Sequence, residues 1–196
     1  MLKAENVSTP EDALATLLEG NKRYANNDLT SLEADLQVLK SRTVDKQEPF
    51  AAVLSCADSR VPVELLFDQS IGHIFVTRVA GNMITPEIIG SLEYGAAVLG
   101  TKVILVMGHG GCGAVTATMQ AQDVPGQISS LFRHIQPAVD KHPNDLEAAI
   151  KANAVMQAAL LSKSSTVISG LIKKGKLKVV AGYYDLASGT VALLEF

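Results

Sequence analysis

Lys102-Val103-Ile104-Leu105-Val106-Met107-Gly108-His109-Gly110-Gly111-Cys112-Gly113 is the stretch on which the fold turns. Its first half is apolar after the lysine and rich in branched side chains, the pattern of a strand buried on both faces. Its second half is a glycine-rich loop carrying one histidine and one cysteine. From Val103 to Gln122 there is no Asp, Glu, Lys or Arg, and that length would cross a bilayer. The glycines and His109 interrupt the apolar run. The reading is therefore a buried strand, a glycine loop and a helix, not a membrane span.

Working outward, Phe50–Ser55 and Ile74–Arg78 are two more short apolar strands. Thr85-Pro86-Glu87 starts a helix expected to run to about Leu99. Further helices are expected over Gly113–Ala121, about Gln127–Val139, about Leu146–Leu161 and Thr166–Lys173. Leu177–Tyr184 and Thr190–Phe196 flank the turn Leu186-Ala187-Ser188-Gly189 and read as a terminal hairpin. Strands alternating with helices imply an α/β fold: a mainly parallel β-sheet flanked by helices, with an antiparallel edge strand. At the N-terminus, Thr9-Pro10-Glu11-Asp12 caps a helix carrying Leu14, Leu17 and Leu18. Thr30 with Glu33 forms a capping box for a second, with Leu32, Leu36 and Leu39. About residues 1–45 thus read as helical arms and 46–196 as the α/β core of a single domain.

The chain has 196 residues, 47% hydrophobic and 19% charged, enough for one domain with a sizeable core. A net charge of -3 disfavours nucleic acid as a partner. The N-terminus has no apolar signal core, so the expected location is cytoplasmic, or periplasmic if a preceding signal has been removed. There are two cysteines, which excludes a disulfide-dense scaffold and a Cys₄ zinc site. Open to them are one disulfide, two inert thiols, or a metal site completed by other residue types.

Both cysteines stand in loops that follow strands. Cys56-Ala57-Asp58-Ser59-Arg60 follows the first strand, and Gly108-His109-Gly110-Gly111-Cys112-Gly113 the third. Ligands collect beyond the carboxyl ends of parallel strands, so neighbouring strands would bring Cys56, Asp58, His109 and Cys112 to one point. Two thiolates and an imidazole form a set that zinc accepts, with a fourth position for water or for Asp58. Zinc would then supply hydroxide as a nucleophile near neutral pH. Arg60, two residues from Asp58, would keep that carboxylate ionised and off the metal. A Cys56–Cys112 disulfide is the competing reading, and it leaves His109 and Asp58 without a role. Gly108-x-Gly110-x-x-Gly113 matches a dinucleotide fingerprint, but Ile128–Arg133 holds no acid where one is required. The loop glycines, Gly113 among them, instead let backbone N–H groups approach a small anion or oxyanion.

The triplet Cys56-Ala57-Asp58-Ser59-Arg60, Arg78-Val79-Ala80-Gly81-Asn82 and Gly108-His109-x-x-Cys112-Gly113 resembles the β-class carbonic anhydrases. So does the ending Gly182-Tyr183-Tyr184-Asp185-Leu186, which is similar to bacterial members. The resemblance implies zinc-dependent, reversible hydration of carbon dioxide to bicarbonate and a proton. It implies Cys56, His109 and Cys112 as zinc ligands and Asp58 with Arg60 as the catalytic dyad, Asp58 being a fourth ligand in a closed state. It also implies a substrate pocket at a subunit interface, using Gln47, Phe75, Ala80, Tyr94 and the glycine loop. Homodimers, or dimers of dimers, embraced by the N-terminal arms would follow. Val53 stands where an allosteric branch carries a tryptophan, so that branch's bicarbonate switch is expected to be absent or altered. Two other functions suit the same residues: hydrolysis of carbonyl sulfide or carbon disulfide at the same zinc, and non-catalytic metal or redox sensing by the two cysteines.

Overall fold

The computed structural model describes residues 7–30, 40, 41 and 43–196. The expected second arm helix falls on 31–39 and lies outside the described residues. Helix α1 spans Pro10–Ala25 and starts as the sequence predicts. The Thr9 hydroxyl accepts from the Asp12 N–H, and the Asp12 carboxylate accepts from the Thr9 N–H, closing a capping box.

Strand β1 is Ala51–Ser55, β2 is Ile74–Arg78 and β3 is Val103–His109. Strand β4 is Lys178–Tyr184 and β5 is Val191–Leu194. They form one five-stranded sheet in the order β2-β1-β3-β4-β5. The first three pairings are parallel, and the β4–β5 pairing is antiparallel, as the hairpin reading requires.

Both faces of the central strands are covered, which is why β1 and β3 are apolar until their carboxyl ends. Val53, Leu105 and Met107 face a cluster with Ala13 and Leu17 of α1 and with Val63 and Leu66 of the short helix α2, Val63–Leu66. Ala52, Leu54, Ile104 and Val106 face the opposite way. They meet Leu92 of α3 (Pro86–Glu93), Ala158 and Leu161 of α6 (Leu146–Ser164), and Ile168 of α7 (Thr166–Lys173). The intervening helices are α4, Gly113–Met119, and α5, Phe132–Lys141.

Two helices differ from expectation. The helix opened by Thr85 is α-helical only to Glu93, and Tyr94–Val98 forms a π turn. There Gly95 lies against Phe75: a Cβ at Gly95 would sit 3.2 Å from the Phe75 ring. The expected Gln127–Val139 helix begins as a 3₁₀ turn, Ile128–Leu131, before α5.

Chain order places the site. After β1 the chain builds β2 on one side, then returns to build β3 on the other. The carboxyl ends of β1 and β3 therefore flank the topological switch point, where connecting loops diverge and leave a crevice. No single helix among the described residues is long and apolar enough to cross a membrane.

Candidate metal centre

Three side chains converge at that switch point. Cys56 follows the last residue of β1, His109 is the last residue of β3, and Cys112 is the N-cap residue of α4. Their Sγ, ring nitrogen and Sγ atoms all lie within 4.8 Å of one another. All three are buried, His109 completely. Gly108, just before His109, is used for packing. At Gly108 a Cβ would sit 3.0 Å from the Ile150 side chain and 3.2 Å from its carbonyl oxygen, so α6 can pass close over the end of β3. Ile128–Leu131 is helical where a dinucleotide site would need a strand ending in an acid.

The donor set fits zinc. His109 Nδ1 lies 3.0 Å from the Gly110 carbonyl oxygen. A carbonyl only accepts, so Nδ1 carries the proton and Nε2 presents its lone pair. That Nε2 is buried and has no hydrogen-bond partner among the described residues. The Cys56 and Cys112 sulfurs are free thiols 3.9 Å apart. Two thiolates bound tetrahedrally at about 2.3 Å would stand roughly 3.8 Å apart, so the sulfurs are already spaced as two such ligands. The hydrogen bond between them draws the Cys56 thiol down to about 4. The same contact, with burial, pushes the Cys112 thiol up. The pair gives up one proton easily and holds the second.

Asp58 overlooks this group. Its Oδ1 accepts from the Arg60 backbone N–H at 2.9 Å and from Arg60 Nε at 3.0 Å, and its Oδ2 accepts from Arg60 Nη2 at 2.8 Å. This fork holds the carboxyl well below the usual carboxylate range. Asp58 Oδ2 is 3.8 Å from His109 Nε2. Arg78 clamps the same loop from below, donating to the carbonyl oxygens of Cys56 at 3.0 Å and Asp58 at 2.5 Å. The Gly81 N–H donates to Cys56 Sγ at 3.4 Å. At Gly113, beside Cys112, a Cβ would meet nothing within 4 Å.

Other residues named from sequence lie elsewhere in the chain. Phe75 is in register with Ala52, four residues before Cys56, or about 13 Å along the strand. The Tyr94 ring centroid is 6.3 Å from that of Phe75, and Tyr94 is 48% exposed. Gln47 is exposed and precedes β1, at the opposite end of the strand from Cys56. A single chain does not bring these three to the Cys–His–Cys group. Ala80, partly buried, adjoins Gly81 in the loop after β2. Val53 is fully buried in β1.

Two residues of the surroundings escaped the sequence reading. Asn153 and Gln157, one turn apart on α6, are buried amides that hold the loop from Gly81 to Ile84. Their signal was two amides four residues apart within an otherwise apolar helical face.

The family model for carbonic anhydrase matches residues 51–191. A carbonic anhydrase of Mycolicibacterium smegmatis is 34% identical over 95% of this chain and 94% of its own length. The solved structure of Coccomyxa β-carbonic anhydrase in complex with acetazolamide is 26% identical, with a TM-score of 0.73 over 92% of this chain and 86% of that one.

The chain belongs to the β-class carbonic anhydrases.

A carbonic anhydrase of Pseudomonas aeruginosa is similar at 31% identity over 91% of this chain and 86% of its own. Membership carries the reaction of the family: reversible hydration of carbon dioxide to bicarbonate and a proton. The chain is thus an enzyme, a lyase. In this β-carbonic anhydrase the Cys–His–Cys group at the switch point could hold a metal ion.

Proposed function

We propose that carbon dioxide is hydrated here at one zinc ion held by Cys56, His109 and Cys112, with Asp58 and Arg60 as the catalytic dyad. The observation that carries this is His109 Nε2, buried without a partner among the described residues and within 4.8 Å of two thiols spaced as zinc ligands. Zinc, when bound, supplies a nucleophile near neutral pH by lowering the pKa of a coordinated water to about 7.

The chain's own residues supply the rest. Asp58 stays ionised because Arg60 satisfies both of its oxygens, and its Oδ2 faces the metal ligands as a hydrogen-bond acceptor. Used that way, it orients the attacking oxygen and takes a proton from no one. Asp58 as a fourth metal ligand would have to give up the Arg60 fork, which it keeps in this structure. Gly113 leaves space beside Cys112 for the substrate, where loop N–H groups would meet oxyanion charge as it develops.

The apolar side of the pocket comes from a second copy of the chain. Gln47, Phe75 and Tyr94 stand too far along β1 and β2 to serve their own chain's metal group, and the exposure of Tyr94 suits an interface. Ala80 borders the same pocket. The working enzyme in this reading is a homodimer in which each copy completes the other's site.

Metal analysis together with stopped-flow hydration of carbon dioxide tests this. One zinc per chain is expected, and Cys56→Ser should lose both the zinc and the activity. A zinc-loaded wild type without activity at pH 8, or a Cys56→Ser variant that keeps its zinc, overturns the assignment.

A further inference from the structure

Helix α6 buries an apolar face made of Ala149, Ile150, Ala154, Ala158 and Leu161. Set within that face are Asn153, fully buried, and Gln157, 1% exposed. Amides in such a place are costly unless their polar atoms are matched. Here the matches run in a chain toward the metal centre. Gln157 Nε2 donates to the His134 carbonyl at 3.0 Å and to Asn153 Oδ1 at 3.1 Å. Asn153 Nδ2 donates to the Gly81 carbonyl at 2.9 Å, and Gln157 Oε1 accepts from the Ile84 N–H at 2.8 Å. The two amides thus grip both ends of the segment Gly81–Ile84.

That segment needs holding. Gly81 has φ +76° and Asn82 φ +42°, two consecutive left-handed residues. A Cβ at Gly81 would come within 2.6 Å of Ile135 Cδ1, so the backbone is pressed against α5. Such a conformation persists only where its surroundings over-determine it. What the held loop delivers is one directed group: the Gly81 N–H, 3.4 Å from Cys56 Sγ. An N–H aimed at a ligating sulfur fixes the direction in which that sulfur presents itself to a metal.

We infer that Asn153, supported by Gln157, is a positioning residue for the metal centre: it holds the Gly81 loop so that the Gly81 N–H stays on Cys56 Sγ, and so tightens metal binding. This rests on the assignment of Cys56, His109 and Cys112 as metal ligands. Asn21 provides the contrast. It too is a buried amide, donating to the carbonyls of Leu66 and Gly189 and accepting from the Val191 N–H. It joins α1 to the terminal hairpin and has no link to the metal ligands.

The experiment compares Asn153→Ala, Gln157→Met and Asn21→Ala by zinc affinity against a competing chelator, by the thiolate-to-metal absorption of Co²⁺-loaded protein, and by urea unfolding. Asn153→Ala should weaken zinc binding about 10- to 100-fold, the usual effect of losing an outer-shell partner, and shift the cobalt band. Gln157→Met, which spares the Asn153–Gly81 bond, should weaken zinc about 3-fold, a part of that same effect. Asn21→Ala should lose stability yet bind zinc within about 2-fold of wild type, because its contacts touch no ligand. An Asn153→Ala protein with wild-type zinc affinity and an unmoved cobalt band overturns the inference. If that variant does not fold, wild-type zinc affinity in Gln157→Met overturns it equally. A wild type that binds neither zinc nor cobalt instead refutes the ligand assignment, and this inference falls with it.

Discussion

Two Asp–Arg pairs in this protein share their chemistry and differ in what their donors belong to. Asp68 is 1% exposed at its side chain and accepts from Arg23 Nε, the Thr30 N–H and the Thr30 hydroxyl. Those donors come from α1 and from the segment after it, so the carboxylate ties distant chain together. Asp58 takes every donor from Arg60, two residues on. Its free direction is toward His109 Nε2, and Arg60 Nη2 also reaches the Gly111 carbonyl at 3.4 Å in the loop that carries Cys112. A charge pair whose partners span the sequence serves the fold. One whose carboxylate takes its donors from a near neighbour and faces a group unpartnered among the described residues serves chemistry.

Four experiments press on that contrast. The largest effect is expected from Asp68→Ala, which strands Arg23, itself only 21% exposed. It should cost about 3 kcal/mol of stability in urea, the low end for breaking a buried pair, with carbon dioxide hydration per folded molecule unchanged. A loss under about 1 kcal/mol would make Asp68 an ordinary surface pair. Next, Asp58→Asn should lower hydration about 100-fold, or about 2.7 kcal/mol, while moving stability by less than about 1 kcal/mol. Equal losses of stability in the two variants would erase the distinction.

Arg60→Lys replaces a two-pronged donor by a point charge. It should cost about 10-fold in hydration, about 1.4 kcal/mol, with zinc content unchanged. Unaltered activity would mean that charge alone, without the fork, is enough. The smallest effect concerns pH. The Arg60 fork lowers the Asp58 pKa in the folded state. Its contribution to stability is therefore complete above the unfolded carboxyl value of about 3.9 and is lost as pH falls from there through the folded value. Urea unfolding of metal-free wild type and Asp58→Asn should show a constant gap between pH 5 and 7 that closes below about pH 4. A gap that widens on acidification would reverse the assigned sign.

Much of the site was legible because its ligands sit in two short motifs. Cys56-x-Asp58-x-Arg60 and His109-x-x-Cys112 each follow an apolar run, and a strand end has one direction in which to place a loop. The Thr9 helix cap and the terminal hairpin were legible for the same local reason. The surroundings were less so. Asn153 and Gln157 lie on α6, far along the chain from Gly81, and their purpose appears only when α6 packs across the carboxyl end of β3. The end of α3 at Glu93 was hidden as well, because Tyr94–Val98 answers to Phe75 on a different element. Gln47, Phe75 and Tyr94 were named through resemblance, since no local pattern marks them.

The sequence by itself determined the donor types, their spacing within each loop, and the alternation of strands and helices that makes a parallel sheet. These are local consequences of side-chain chemistry and backbone period. Only the tertiary structure decided that β1 and β3 are neighbours, and therefore that Cys56 meets His109 and Cys112. It also decided that His109 Nε2 is buried without a partner among the described residues, that Arg78 holds the cysteine loop, and that two amides on a distant helix bond the loop at Gly81. Those outcomes depend on strand order and helix packing, where the energy lies in burying apolar faces against one another and not in any one motif.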